Sequence, residues 1–203
     1  LERDKVLSGR QKDAVRQYVR MHTDKPEELY QIYDAMIRGE NYKAETLEVL
    51  MEEGQPVIKI AGKEIGAAFE QLNDFVQKLI LLTERTLPLG SVVEVDIREL
   101  KLETEKPVSS IKAVIVDRFM KKETEKQYVP YCGIIYPFGD SKKQLFFTEQ
   151  AIHTVIHYGY TDRQEDAYVA LIKREIIKKG YSSYSFAEAE DDKIRMLQSD
   201  INL

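Results

Sequence analysis

The chain has 203 residues, of which one is cysteine and none is tryptophan. The single thiol, Cys132, excludes an internal disulfide framework and any zinc site that needs several cysteines. Long apolar runs are also missing: Leu79–Leu82 has four residues, whereas a membrane-spanning helix needs about 18. We therefore expect a protein of a reducing compartment with no insertion into a membrane.

An excess of positive charge is absent as well. The formal net charge is −5 at pH 7, with a balance of −3 over residues 1–86 and −2 over residues 87–203. Nucleic acids and anionic membranes attract clustered lysine and arginine, so we expect neither as a partner. The first residues, Leu1–Lys5, carry both signs of charge, and no apolar segment follows them. This start predicts a cytoplasmic protein without a signal peptide.

The apolar pattern of residues 1–86 predicts a mainly helical region. Apolar side chains recur at helical spacing in four segments, which begin near Ser8, Thr23, Asn41 and Glu64. Asn41 is predicted to cap the third helix, which would carry Leu47 and Leu50 on its apolar face and end near Gly54. Pro56–Gly62 predicts a short strand and turn between the third and fourth helices.

At Leu87–Gly90 the pattern changes from helical to strand-like. Residues 91–97 alternate between apolar and acidic side chains, and β-branched or aromatic segments follow at 111–120, 128–136, 145–147 and 155–160. Thr161–Gln164 predicts the start of a helix that ends at Gly180, and residues 181–203 are either a docked tail or contain a frayed helix over 187–198. The predicted fold is α+β: a helical N-terminal half, residues 1–86, followed by a small antiparallel β-sheet with a C-terminal helix, residues 87–203.

Two residue patterns could carry catalytic chemistry, and each also has a purely structural interpretation. His153 and His157 are four apart, a spacing that would hold a metal on one face of a helix, but the residues around them suggest a strand and no glutamate follows His153. Cys132 could act as a nucleophile with either histidine as base, or it could be a small buried side chain in an apolar strand. Because no phosphate-binding loop is present either, we predict no enzyme, no metal and no cofactor.

The order of elements in residues 26–65 also matches a winged-helix DNA-binding module. Predicted helices at 26–38 and 42–53 are followed by the strand-like Val57–Ile65. The second of these helices would be the recognition helix, yet it carries four glutamates and one lysine. Since phosphate repels an acidic helix, we do not expect DNA binding.

Four segments of the second half resemble a bacterial family. Leu87–Val93, Gly133–Asp140, Leu145–Phe147 and Ile156–Tyr160 are similar to the opening strand, the Tyr-Pro-x-Gly turn, a short strand and the Gly-Tyr element of domain-of-unknown-function family 4176. The resemblance covers about residues 86–175. It departs from the family at the charged loop Arg98–Ser110, after which Val114–Arg118 takes the place of the family's second strand. Residues 1–85 lie outside the resemblance.

The resemblance implies an accessory role in protein secretion. Members of this Gram-positive family are found beside type VII secretion genes that encode LXG-type toxins, and they look like cytoplasmic adaptors or targeting chaperones with no known catalytic residues. The expected partner is therefore a secreted LXG-type toxin, and the oligomeric state stays open. An immunity-type inhibitor of the toxin's catalytic domain is the alternative, because an acidic inhibitor suits a basic nuclease.

Tyrosine is the residue type most able to supply a binding surface. The chain has 12 tyrosines, and tyrosine is enriched at interfaces because it combines a large contact area with a polar tip. The alternative is that most of the tyrosines pack the sheet and its covering helix. We predict that the partner is bound by the exposed members of one set: Tyr131, Tyr136, Phe138 and Tyr160.

Overall fold

The computed structural model describes residues 7–96, 109–122 and 124–186. Two compact units divide the chain between Arg85 and Thr86. Most of the predicted charged loop 98–110 and all of the predicted tail helix 187–198 lie outside the described residues.

The first unit contains three helices and a four-stranded antiparallel sheet. Its helices are α1 (Gly9–Met21), α2 (Glu27–Arg38) and α3 (Phe69–Thr83). Its strands are β1 (Tyr42–Lys43), β2 (Leu47–Glu52), β3 (Gln55–Ile60) and β4 (Lys63–Gly66), and they lie side by side in chain order.

The helices of this unit follow from local signals. Ser8 and Gln11 form the predicted capping box of α1, in which each side chain bonds the other residue's backbone N–H. Gly39 ends α2 with a φ of 69°, a left-handed conformation that glycine adopts without steric cost. The wide apolar face of α3 is buried as predicted, but the predicted start of this helix near Glu64 is wrong, because Lys63–Gly66 form β4.

The predicted helix at 41–54 is wrong, because this segment forms β1, β2 and the turn into β3. Leu47 and Val49 are buried, and they pair with the buried Ile60 and Ile58 of β3. Burial therefore follows the alternation of a strand, which the helical spacing of Leu47 and Leu50 had masked. Asn41 caps no helix, and its side-chain oxygen instead accepts the backbone N–H of Met51 at 2.7 Å. The winged-helix interpretation loses its recognition helix with this change.

The second unit is a six-stranded sheet with one α-helix, which precedes the last strand in the chain. Its strands are β5 (Val92–Asp96), β6 (Ser110–Lys122), β7 (Gln127–Ile135), β8 (Gln144–Phe147), β9 (Ile152–His157) and β10 (Ser182–Ser183). The order across the sheet is β10-β7-β6-β5-β9, and β8 also pairs with β7. All pairs are antiparallel except β10 with β7.

One face of this sheet carries the core of the second unit. Buried side chains from several strands pack together there: Val93, Val95, Ala113, Ile115, Tyr131, Leu145 and Phe147. Gly133 lies beneath them without a side chain because a Cβ there would lie 3.0 Å from the ring of Phe147 and 3.1 Å from the carbonyl oxygen of Val114. The core therefore depends on contacts between strands that are far apart in the sequence.

The closing helix, α4 (Arg163–Lys179), begins and ends as the sequence predicted to within two residues. The carboxylate of Asp162 accepts the backbone N–H groups of Gln164 and Glu165, each at 2.9 Å, and Gly180 ends the helix with a φ of 69°. Of its 17 residues, all of them described, Ile176 alone is fully buried. Apolar packing therefore contributes little to holding α4.

The prediction of a helical N-terminal half is wrong. The described residues form four helices interspersed with two largely antiparallel sheets, and the first sheet lies in the N-terminal half. None of the helices in the described part of the chain combines the length and the apolar character needed to cross a membrane.

Candidate protein-binding surface

The loop Thr86–Ser91, called the opening loop below, is clamped to strand β6. The N–H of Gly90 donates to the carbonyl of Ile115, and the N–H of Ile115 donates to the carbonyl of Ser91, each at 2.8 Å. Ser91 is buried, and its hydroxyl donates to the carbonyl of Pro88 at 2.8 Å. Gly90 has a φ of 79°, which favours glycine at this turn. The opening loop is thus held by backbone bonds on both sides of its turn.

Gly159 brings the segment after β9 directly against the opening loop. Its N–H donates to the hydroxyl of Ser91 at 3.0 Å. A Cβ on Gly159 would overlap the carbonyl oxygen of Leu89 and would lie 3.0 Å from the backbone nitrogen of Ser91. Only glycine fits here, so two sequence motifs that are about 70 residues apart meet at one backbone contact.

Arg118 of β6 joins the opening loop to α4. Its guanidinium forms a bidentate ion pair with the carboxylate of Glu165, in which one N···O distance is 3.1 Å. The same guanidinium donates to the carbonyl of Leu87 at 3.2 Å. The ring of Tyr168 lies 5.9 Å from the same guanidinium, in a cation–π contact. The N–H of Leu87 donates to the buried hydroxyl of Tyr131 at 3.0 Å. Leu87 is therefore bonded at both its N–H and its carbonyl to side chains of the sheet.

Further ion pairs hold the C-terminal half of α4. The carboxylate of Glu175 accepts from Lys121 of β6 at 2.8 Å and from Lys179 at 2.9 Å. The hydrogen bond from Lys121, followed by that from Lys179, lowers the pKa of Glu175 to about 2. Lys179 lies on α4 itself, so ion pairs join the helix to β6 at two points, and the Arg118–Glu165 pair is the more buried of the two.

Exposed apolar side chains surround the opening loop. They come from the loop itself, from the bulge of β6, from the segment after β9 and from the second turn of α4, and we call them the opening-loop patch: Leu89, Val116, Tyr158, Tyr160 and Tyr168. Val116 follows Ile115, which is bonded to the loop, and Tyr158 and Tyr160 flank Gly159. Exposed apolar clusters of this kind mark protein-interaction sites more often than scattered apolar residues do.

The structure separates the four residues predicted to bind a partner. Tyr131 is only 1% exposed and packs on Phe147 with a ring separation of 5.7 Å, so it belongs to the core and not to a surface. Tyr160 is 81% exposed and belongs to the opening-loop patch. Tyr136 and Phe138 are also exposed, but they lie in the turn between β7 and β8. The N–H of Tyr136 donates to Lys112, three residues along β6 from the position that clamps the opening loop.

The two histidines are exposed on one strand, whereas the cysteine is buried in another. His153 and His157 are exposed on the strand β9, where the strand interpretation had placed them. No three His, Cys, Asp or Glu side chains within the described residues are grouped so that they could hold a metal ion. Cys132 is buried, and burial, with a smaller contribution from Asp117, raises the pKa of its thiol to about 11. A thiol in this state is a poor nucleophile near neutral pH.

Glu149 is a half-buried acid whose titration is altered by its surroundings. Its carboxylate accepts a hydrogen bond from the hydroxyl of Ser185 at 3.3 Å. Burial raises its pKa to about 7, although the bond from Ser185 and the charge of Lys173 act in the opposite direction. Glu149 lies between β8 and β9 in the chain.

Sequence reasoning missed the residues that shape the candidate surface. Arg118 and Glu165 carry no local signal, because they are 47 residues apart and only the fold pairs them. Ser91 and Gly159 were part of the motifs that suggested a family, but their mutual bond was not foreseen. The Gly-Tyr pair was the one available signal, since an isolated glycine in a strand-like segment marks a close backbone approach.

These features define the second unit as an α+β domain in which a largely antiparallel sheet carries one ion-paired helix. Residues 86–168 match the family model described as Domain of unknown function (DUF4176). The matched residues include the opening loop, Arg118, Gly159 and Glu165. Comparison with curated proteins and with solved structures found no match.

Proposed function

We propose that this protein is a non-enzymatic cytoplasmic adaptor or targeting chaperone that binds an LXG-type toxin for type VII secretion. The observation that supports binding is the opening-loop patch, which gathers exposed apolar side chains from four parts of the domain. The resemblance of residues 86–175 to family members found beside toxin genes suggests the nature of the bound protein.

The backbone beneath the patch is ordered before any partner arrives. Ser91 bonds the opening loop and the segment after β9 at once, and Gly159 packs with no space for a side chain. A pre-ordered surface loses little conformational entropy on binding, so its contacts contribute more of their energy to affinity. Tyrosine suits such a surface because few rotatable bonds are immobilised for a large contact area.

The direct test is co-purification of the full chain with separate N-terminal and C-terminal fragments of the toxin encoded beside it. We expect the N-terminal export fragment to be captured, and Tyr160→Ser to reduce the captured amount at least tenfold. Ile37→Ala removes an exposed apolar side chain from the first unit and should leave capture unchanged. Failure of both fragments to bind would contradict the proposal.

The second candidate is an immunity-type inhibitor of the toxin's catalytic domain. The observation in its favour is the net charge of −5, which would steer the chain toward a basic nuclease. Capture of the C-terminal catalytic fragment alone, with loss of its activity, would favour this candidate over the adaptor.

A further inference from the structure

The turn Tyr136–Lys143, which we call the hairpin tip, joins β7 to β8 and is internally ordered. The N–H of Gly139 donates to the carbonyl of Ile135 at 3.0 Å, and Gly139 has a φ of 66°. The side chain of Asp140 accepts the N–H of Lys142 at 3.0 Å. The tip is therefore a turn whose backbone conformation is defined by its own hydrogen bonds.

Phe138 projects from this turn into solvent. It is 81% exposed, and the neighbouring Tyr136 is exposed as well. A phenylalanine on a convex, ordered turn buries most of its surface only if a concave apolar site receives it. Aromatic side chains in this arrangement are frequent anchors at protein interfaces.

The surroundings of Phe138 are positively charged although the chain as a whole is acidic. Lys142 and Lys143 are both exposed in the same turn as Phe138, against one acid, Asp140, so the tip carries a small excess of positive charge. The one acid of the tip, Asp140, turns a carboxylate oxygen toward the backbone of Lys142. A local cationic site on a chain of net charge −5 favours an acidic surface as its complement.

We infer that the hairpin tip inserts Phe138 into an apolar pocket with an acidic rim on the bound protein. This inference rests on the proposed function, because it specifies how the bound protein is held. A protein pocket suits the tip better than an anionic bilayer does, since one exposed phenylalanine with two lysines is a weak membrane anchor and the remaining negative charge is repelled by such a bilayer.

The test measures the affinity of the full chain for the N-terminal export fragment of the toxin by isothermal titration calorimetry. Phe138→Ala should weaken binding about 30-fold, the loss expected for a buried aromatic anchor. Ile37→Ala, which truncates an exposed apolar side chain in the first unit, is the matched control and should bind like the unaltered chain. Both positions are exposed, and equal far-UV circular dichroism and melting curves would establish that the variants fold.

Charge reversal tests the acidic rim. Lys142→Glu should weaken binding at 50 mM salt and reduce the dependence of affinity on salt, whereas Lys178→Glu, at an exposed position in the last turn of α4, should do neither. A second arm replaces the toxin fragment with vesicles of phosphatidylglycerol and phosphatidylcholine.

The outcomes separate the inference from the proposed function. If the unaltered chain binds the fragment and Phe138→Ala binds equally well, the inference is wrong and the adaptor function stands. If the unaltered chain binds neither toxin fragment, both are wrong. Binding to vesicles that depends on Phe138, with no effect of that residue on the toxin fragment, would assign the tip to a membrane and overturn the protein pocket.

Discussion

The ion pair between Arg118 and Glu165 makes the strongest prediction about the stability of the second unit. The Arg118 side chain is 3% exposed and the Glu165 side chain is 20% exposed, so the pair is largely removed from water. Glu165→Gln leaves a buried guanidinium without its counter-charge, and removing one partner of a buried pair costs about 3 kcal/mol or more. Because only Ile176 of α4 is fully buried, we expect this loss to release the helix rather than to be absorbed by other contacts.

Hydrogen exchange followed by mass spectrometry is the suitable assay, since a chain of two compact units need not unfold in one step. A loss of about 3 kcal/mol corresponds to roughly 100-fold faster exchange of the amides of α4. Glu175→Gln is the matched control on the same helix: this acid is more exposed, so its exchange should change little and in a salt-dependent way.

A double-mutant cycle shows whether the effect comes from the pair itself. Arg118→Met with Glu165→Gln should lose much less protection than the sum of the two single variants, because the second change removes a partner that is already missing. Two results would refute the reasoning that this pair docks α4. One is amide exchange in Glu165→Gln equal to that of the unaltered chain, and the other is a loss of protection in the double variant equal to the sum of the two single losses.

Three further predictions concern other residues. Gly159→Ala should destabilise the second unit by more than about 2 kcal/mol because the new Cβ overlaps backbone atoms. Amide exchange of residues 86–91 measures this loss. Gly66→Ala is the control and should not speed this exchange, because a Cβ at Gly66 meets open space. Cys132 should react slowly with iodoacetamide at pH 8 and quickly in 6 M urea; equal rates would contradict its burial. The folded chain keeps a proton on Glu149 up to about pH 7, whereas the unfolded chain loses it near pH 4.3. The free energy of unfolding should therefore fall as the pH rises between these two values. Glu149→Gln should therefore raise the melting temperature more at pH 8 than at pH 5.

The predictable part of the fold consists of elements with local signals. The helices α1, α2 and α4 begin at capping side chains or at an acidic first turn and end at or near a histidine or a glycine, so a few neighbouring residues define each of them. The strand segments of the second unit were visible as β-branched alternation. The prediction for residues 41–54 was wrong because their apolar residues fit both the helical and the strand period. Pairing with β3, in which the buried Ile60 and Ile58 lie opposite Leu47 and Val49, favours the strand.

The candidate site was predictable only in part. Of the four aromatic side chains chosen from the sequence, three are exposed, but Tyr131 is a core residue because its strand, β7, is paired there with β6 on one side and β8 on the other. The division of the exposed ones between the opening-loop patch and the hairpin tip follows from strand order, which no local pattern encodes.

The sequence by itself determined the ends of α1, α2 and α4, the change from α3 to strand β5 around Leu87, and the similarity of residues 86–168 to a family model. Tertiary structure alone decided the pairing of Arg118 with Glu165, the contact of Gly159 with the opening loop and the burial of Tyr131. The physical reason is range: caps and turns are set by bonds between residues a few positions apart. Ion pairs, close backbone contacts and burial depend on which distant strands the sheet brings side by side.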